Sequence, residues 1–225
     1  MNYAVMRLKK IKSVSGLSGI EHHDNYRDEL PHRSYPDLSC ENYTLRPPCY
    51  GADQSLVDRW KQRVGSQKIR KNAVLAYEIV LSFSPDALRK LNFDSWVEDN
   101  VCWLSENFGG ESNILTVEIH LDETTPHLHA VAVPIDERGK LNSKHYTGTR
   151  SHLSRLQDSY AKAMLPHGLE RGVKYYERET KIYHSDHRKY NAKKRIQKEQ
   201  ENYEHDRLNR KKLKNVDKYR EELTR

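Results

Sequence analysis

Apolar and polar positions follow strand-like and helix-like patterns in turn over most of the first 165 residues. N-Y-A-V-M-R-L-K-K-I (2–11) reads as a first strand with mixed facing, and the Gly/Ser-rich stretch from Ser13 to Gly19 as a turn. The polar segment G-I-E-H-H-D-N-Y-R-D-E follows, then Pro31, Pro36, Pro47 and Pro48 punctuate a segment too irregular for one long element. Residues 53–66 are predicted as a polar helix, and the β-branched-rich run A-V-L-A-Y-E-I-V-L-S-F (73–83) as a central strand. Leu88, Leu91, Trp96, Val97, Val101 and Leu104 have helical spacing across 85–108, stopped by Gly109-Gly110. Two strands follow at 113–121 and 127–135, then a turn at E-R-G-K-L-N-S before a shorter strand, and a helix over 148–165 ending at Pro166. This order predicts an α+β fold: a mainly antiparallel sheet flanked by helices.

Beyond Tyr183 the pattern changes. The chain loses Pro and Gly, and its apolar residues recur irregularly at intervals of three to seven, with no heptad seam. A core domain over 1–181 and a basic, polar helical extension over 182–225 are the expected organisation. The extension carries 14 Lys or Arg against 8 Asp or Glu, an excess of six within the chain's net charge of +7. Contact with DNA, self-association into a homodimer and contact with a membrane surface all stand open for it. The pI near 9.2 favours a polyanionic partner. No apolar run approaches a membrane span and no signal-peptide stretch opens the chain, so a cytoplasmic location is expected. Cys40, Cys49 and Cys102 are widely spaced and lack a C-x-x-C pair, which speaks against a disulfide scaffold or a zinc ribbon. Dinucleotide and P-loop glycine motifs are also missing.

Three histidines lie within ten residues in H-L-D-E-T-T-P-H-L-H. His127 and His129 are two apart on a predicted strand and share a face. A hairpin through Asp122 to Pro126 returns His120 to the same place. Three imidazoles with open positions left over form the donor set of a catalytic metal rather than a closed structural one. The helical H-E-x-x-H pattern is absent. Glu123, in the turn, reads either as a ligand, water-orienting group or base, or as a solvated carboxylate. Glu118 and Glu78 read either as anchors for an imidazole N–H or as satisfied polar residues. Phosphodiester chemistry also needs a nucleophile and cations. His22, His23, Tyr26 and Arg27 offer both, and Lys68, Arg70 and Lys71 add charge ahead of the strand at 73.

H-L-D-E-T-T-P-H-L-H resembles the third motif of the MobV/Pre relaxases, plasmid mobilisation and recombination enzymes of the HUH endonuclease superfamily. Further matching pieces over residues 1–175 are N-Y-A-V-M-R-L-K-K, G-I-E-H-H, E-N-Y-T-L, I-R-K-N-A-V-L, G-E-S-N-I and V-P-I-D-E-R-G-K-L-N-S-K. The resemblance implies an HUH relaxase fold and a metal-dependent DNA nicking-closing enzyme acting at a plasmid transfer origin. It implies that His120, His127 and His129 hold Mn²⁺ or Mg²⁺, and that Glu123 is the motif's glutamate beside the active site. Asn42 and Tyr43 match an N-Y step, and Arg70 and Lys71 an R-K step, both implied to contact DNA or stabilise phosphate. Related relaxases self-associate through a longer C-terminal region, which implies a truncated or short member here.

The nucleophile is where this sequence departs from the family. The first motif is usually His-x-x-Arg, whereas Arg27 lies four residues after His23 and five after His22. Alignment on G-I-E puts His23 in the nucleophile's place; distance from the N-terminus puts His22 there. Tyr26 is the third candidate, since most HUH enzymes attack through tyrosine. Two other readings stand: an HUH replication initiator or transposase, and a DNA-binding accessory or repressor protein with a structural or degenerate metal site.

Overall fold

The computed structural model describes residues 2–25, 36–45, 47, 49–51, 53–123 and 125–174. Met1–Gly172 is one compact unit and Val173–Arg225 a second. The predicted extension and its expected start at 182 lie outside the described residues.

The first unit is built on a six-stranded sheet with strands β1 (Tyr3–Ile11), β2 (Tyr43–Leu45), β3 (Ala76–Phe83), β4 (Ile114–His120), β5 (His127–Ala132) and β6 (Glu170–Arg171). Their spatial order is β2-β4-β5-β3-β1-β6, antiparallel at every pairing except β1 with β6. Helices α1 (Val14–Asn25), α2 (Leu56–Val64), α3 (Phe93–Asn107), α4 (Ser143–Thr147) and α5 (Arg150–Ala163) complete it. The α+β, mainly antiparallel architecture predicted from the sequence is the one observed.

Strand alternation divides the sheet into two chemically distinct faces. Tyr77, Ile79, Leu81 and Phe83 of β3 point one way with Leu128, Ala130 and Ala132 of β5, into a core closed by Trp96, Trp103 and Leu104 of α3 and Tyr160 of α5. The opposite face is apolar over only part of its area, where Ile11, Leu75, Ala76, Val131 and Val133 meet Leu17 and Ile20 of α1 and Leu56, Trp60 and Val64 of α2. The remainder of that face holds the histidines. An irregularity in β4 between Ile114 and Thr116 sets this division. Leu115 is the extra residue: it joins the α1/α2 core, and Thr116, Glu118 and His120 then continue on its side of the sheet.

Several elements depart from the prediction. The expected Gly/Ser turn is the first half of α1. Its glycines are poor helix formers, but Ser13 caps it, Oγ accepting from Gly16 N at 3.1 Å, and Leu17 and Ile20 bury one stripe of it. Gly16 eases the approach to the sheet, because a Cβ there would crowd Ile11 Cγ2 at 3.0 Å. The helix expected over 85–108 begins at Phe93, where Asn92 accepts from Ser95 N; only a 3-10 turn at Pro85–Ala87 precedes it. The short strand after E-R-G-K-L-N-S is a single bridge between Ile135 and Leu141, followed by α4. Strands β2 and β6, of three and two residues, are too short to leave a period in the sequence.

Candidate active site

Register places the histidines before any side-chain rotamer matters. His120 on β4 lies directly opposite His127 on β5, and Glu118 opposite His129. Ring centroids are 5.2 Å apart for His120–His127, 4.8 Å for His120–His129 and 5.0 Å for His127–His129. One nitrogen from each ring falls within 4.8 Å of the others. All three rings are largely shielded, His120 at 1% exposure.

The chemistry of these donors fits a divalent cation. Nδ1 of His127 donates to the Thr125 carbonyl at 3.0 Å, since a carbonyl can only accept. That leaves Nε2 as the ring nitrogen open to a cation, with Glu123 Oε1 3.8 Å from it. His129 Nδ1 lies 3.8 Å from Glu78 Oε1 on the neighbouring strand. Glu78 is held at a pKa of about 2: its interaction with His129 outweighs the effect of burial, and Lys9, with Nζ 2.8 Å from Oε2, adds to it. The Glu78 carboxylate is therefore fully ionised beside the imidazole at neutral pH. Glu118 faces away toward β2, taking hydroxyl donation from Thr44 and, at 2.6 Å, from Thr116.

The remaining sequence candidates divide by location. His22 and His23 lie in the last turns of α1, His22 exposed; Tyr26 and Arg27 lie outside the described residues. Glu123 is brought to the histidines. Asn42 sits at the entry of β2, its amide oxygen accepting from the backbone N–H of Leu121 and Asp122. Tyr43 is exposed on edge strand β2, its hydroxyl pKa raised by partial burial and by Asp94. Arg70 and Lys71 are exposed in the turn before β3. That turn leads into Ala76, whereas the histidines align with the other half of the strand, His129 opposite Val80.

Two cations escaped the sequence reading. Arg7 pairs with Val80, which pairs with His129 in the next strand, so Arg7 lies on the histidine face about 10 Å across the sheet. Lys9 is on that face too. Arg7 is exposed and, among the described residues, has no acidic partner, whereas Lys9 is engaged by Glu78. The i, i+2 spacing of Arg7 and Lys9 was visible, but the strand that β1 would neighbour was not.

The sequence profile of the Mob_Pre family, described as plasmid recombination enzyme, matches residues 1–192. The chain is 34% identical over 179 residues to a 65 kDa protein of Zymomonas mobilis subsp. mobilis, covering 77% of this chain and 30% of that one. It is 33% identical over 181 residues to a plasmid recombination enzyme of Streptococcus agalactiae, covering 76% and 36%. The chain thus spans about a third of the length of these curated relatives. Among solved structures, it is similar to a Mn-bound MobM relaxase domain (MOBV; Mob_Pre) in complex with 22 nucleotides of plasmid pMV158 oriT DNA. The TM-score is 0.71 at 30% identity, covering 84% of this chain and 99% of that one. A histidine-bearing antiparallel hairpin, a sheet closed by helices on both faces and these matches lead to one assignment: the chain belongs to the Mob_Pre family of plasmid recombination enzymes, with the fold of their relaxase domain.

Proposed function

We propose that the chain is a relaxase unit that nicks one strand of a plasmid transfer origin and keeps the broken phosphodiester as a covalent enzyme adduct, initiating mobilisation. The observation that carries this reading is the convergence of His120, His127, His129 and Glu123 on one sheet face, in a fold matching a relaxase domain bound to oriT DNA. His120, His127 and His129 would hold Mn²⁺ or Mg²⁺ with Glu123 beside them, and the ion supplies Lewis-acid stabilisation of charge on the scissile phosphate.

The protein's own groups do the rest. A neutral imidazole nitrogen of His23 attacks phosphorus; the N–P bond forms as the P–O3′ bond breaks, and the released 3′ oxygen takes up a proton. The product is a 5′-phosphoryl-histidine and a free 3′-OH that can reverse the step and reseal the strand. His22 and then Tyr26 stand next as the attacking residue. Imidazole suits the task because its ordinary pKa of about 6.5 leaves it mostly neutral near pH 7, whereas a tyrosine near 10 needs activation. Arg27 offsets charge at the reacting phosphate. Arg7 meets the DNA near the histidines, Tyr43 meets it at the β2 edge on the other face of the sheet, and Arg70 and Lys71 meet backbone phosphates farther along. The site of action is the bacterial cytoplasm, where the plasmid resides.

The test is incubation with Mn²⁺ and a single-stranded oligonucleotide spanning the cognate nick site, followed by denaturing electrophoresis and mass spectrometry. The fragment on the 3′ side of the nick, linked to protein through its 5′ phosphate, is expected, together with a free 5′-side fragment ending in a 3′-OH. A bound but uncut oligonucleotide would indicate an accessory DNA-binding protein instead. A phosphoramidate adduct is lost in acid, whereas a phosphotyrosine persists, so acid treatment separates His23 or His22 from Tyr26.

A further inference from the structure

We propose that Asn42 is a positioning residue for the metal-binding hairpin: its side-chain oxygen fixes the turn that carries Glu123 to the histidines. The proposal rests on the metal-dependent reading above for its purpose, but its geometry stands apart from it.

Asn42 immediately precedes β2, whose Tyr43 pairs with Ile119 of β4. It therefore stands level with His120, at the point where β4 ends and the β4–β5 turn begins. Its Oδ1 accepts from Leu121 N at 2.7 Å and from Asp122 N at 3.3 Å. An amide oxygen has two lone pairs, so one atom takes up both N–H groups. Those two residues lie between His120 and Glu123, so the bonds act on the backbone between two members of the cluster. A second tether reinforces the first: Ser39 Oγ donates to Asp122 Oδ2 at 3.1 Å, and the Asp122 side chain is fully buried. Asn42 is itself located by its backbone N–H, which donates to the Ser39 carbonyl at 3.3 Å. The segment from Ser39 to Asn42 thus clamps a turn some 80 residues away in sequence, and beyond the clamp Glu123 reaches 3.8 Å from His127 Nε2.

This differs from a DNA contact in which group of the amide is used. The clamp needs only the oxygen; a phosphate contact would need the Nδ2 donor. Asn42→Asp keeps the acceptor, removes the donor and adds a charge that phosphate repels, whereas Asn42→Ala removes everything.

The full chain, without DNA, is compared as wild type, Asn42→Ala and Asn42→Asp for Mn²⁺ affinity by titration calorimetry and for amide hydrogen exchange in the β4–β5 turn. The clamp predicts that Asn42→Ala weakens Mn²⁺ binding about ten-fold, the usual size of a lost orienting hydrogen bond behind a metal ligand, and speeds exchange at Leu121 and Asp122. Asn42→Asp recovers both while weakening oligonucleotide binding if Nδ2 also touches DNA. Wild-type Mn²⁺ affinity and unchanged exchange in Asn42→Ala would overturn the proposal, as would an Asp variant that exchanges as fast as the Ala variant. If Asn42→Ala does not fold, Asn42→Leu, which keeps the volume and removes the acceptor, takes its place with the same two outcomes. Exchange requires neither metal nor DNA, so it judges Asn42 even where wild type binds no Mn²⁺ or cuts no DNA.

Discussion

At the scale of single residues, His127 has the most sharply defined chemistry in the molecule. A carbonyl behind the ring takes the Nδ1 proton and a carboxylate in front faces Nε2. His127→Ala removes one of three nitrogen donors, and a loss of Mn²⁺ affinity of about 100-fold or more is expected, with DNA binding retained; calorimetry and gel shift read the two separately. Glu123→Gln keeps the shape and removes the charge, so the nicking rate should fall more than DNA affinity does. The attacking residue is identified by His22→Phe, His23→Phe and Tyr26→Phe: His23→Phe is expected to abolish the covalent adduct while the other two retain it. Adduct formation by all three would contradict the assignment of the first motif.

At the scale of elements, the β4–β5 hairpin was legible because two independent periods agree there. Apolar residues alternate on one face while His120, His127 and His129 occupy the other, and a turn rich in polar residues separates the runs. Helix α1, which carries His22 and His23, was not legible: among its described side chains the buried stripe is Leu17 and Ile20, set among glycines and serines. Tertiary packing rather than intrinsic propensity forms it. Leu17 is fully buried against the sheet. Leu17→Ala is therefore expected to cost about 2–5 kcal/mol of stability, measured as a shift in the urea midpoint, with little change in slope. A cost under about 1 kcal/mol would show that α1 is not held by this contact. The clamp from Ser39 and Asn42 was equally hidden. The N-Y step was visible, but a partner some 80 residues away leaves no local trace.

At the scale of the whole molecule, the fold gathers His120, His127 and His129 on a sheet face that also carries the exposed Arg7. The excess charge is concentrated in the last 44 residues, yet Arg7 on β1 is the cation that register puts level with His129. Charge counting could not separate these contributions, because a strand's neighbours are decided by long-range pairing. If Arg7 neutralises one phosphate, Arg7→Ala should lower the slope of log affinity against log salt by about 0.7 on single-stranded origin DNA. An unchanged slope would remove Arg7 from the interface. The central claim is tested most directly by incubating the full chain with Mn²⁺ and supercoiled plasmid carrying its cognate transfer origin, then digesting with protease before electrophoresis. The account predicts open circles whose 5′ end carries a peptide, dependent on the origin and absent in His127→Ala. Supercoiled plasmid that is bound but left intact, or nicks appearing equally in His127→Ala, would contradict it.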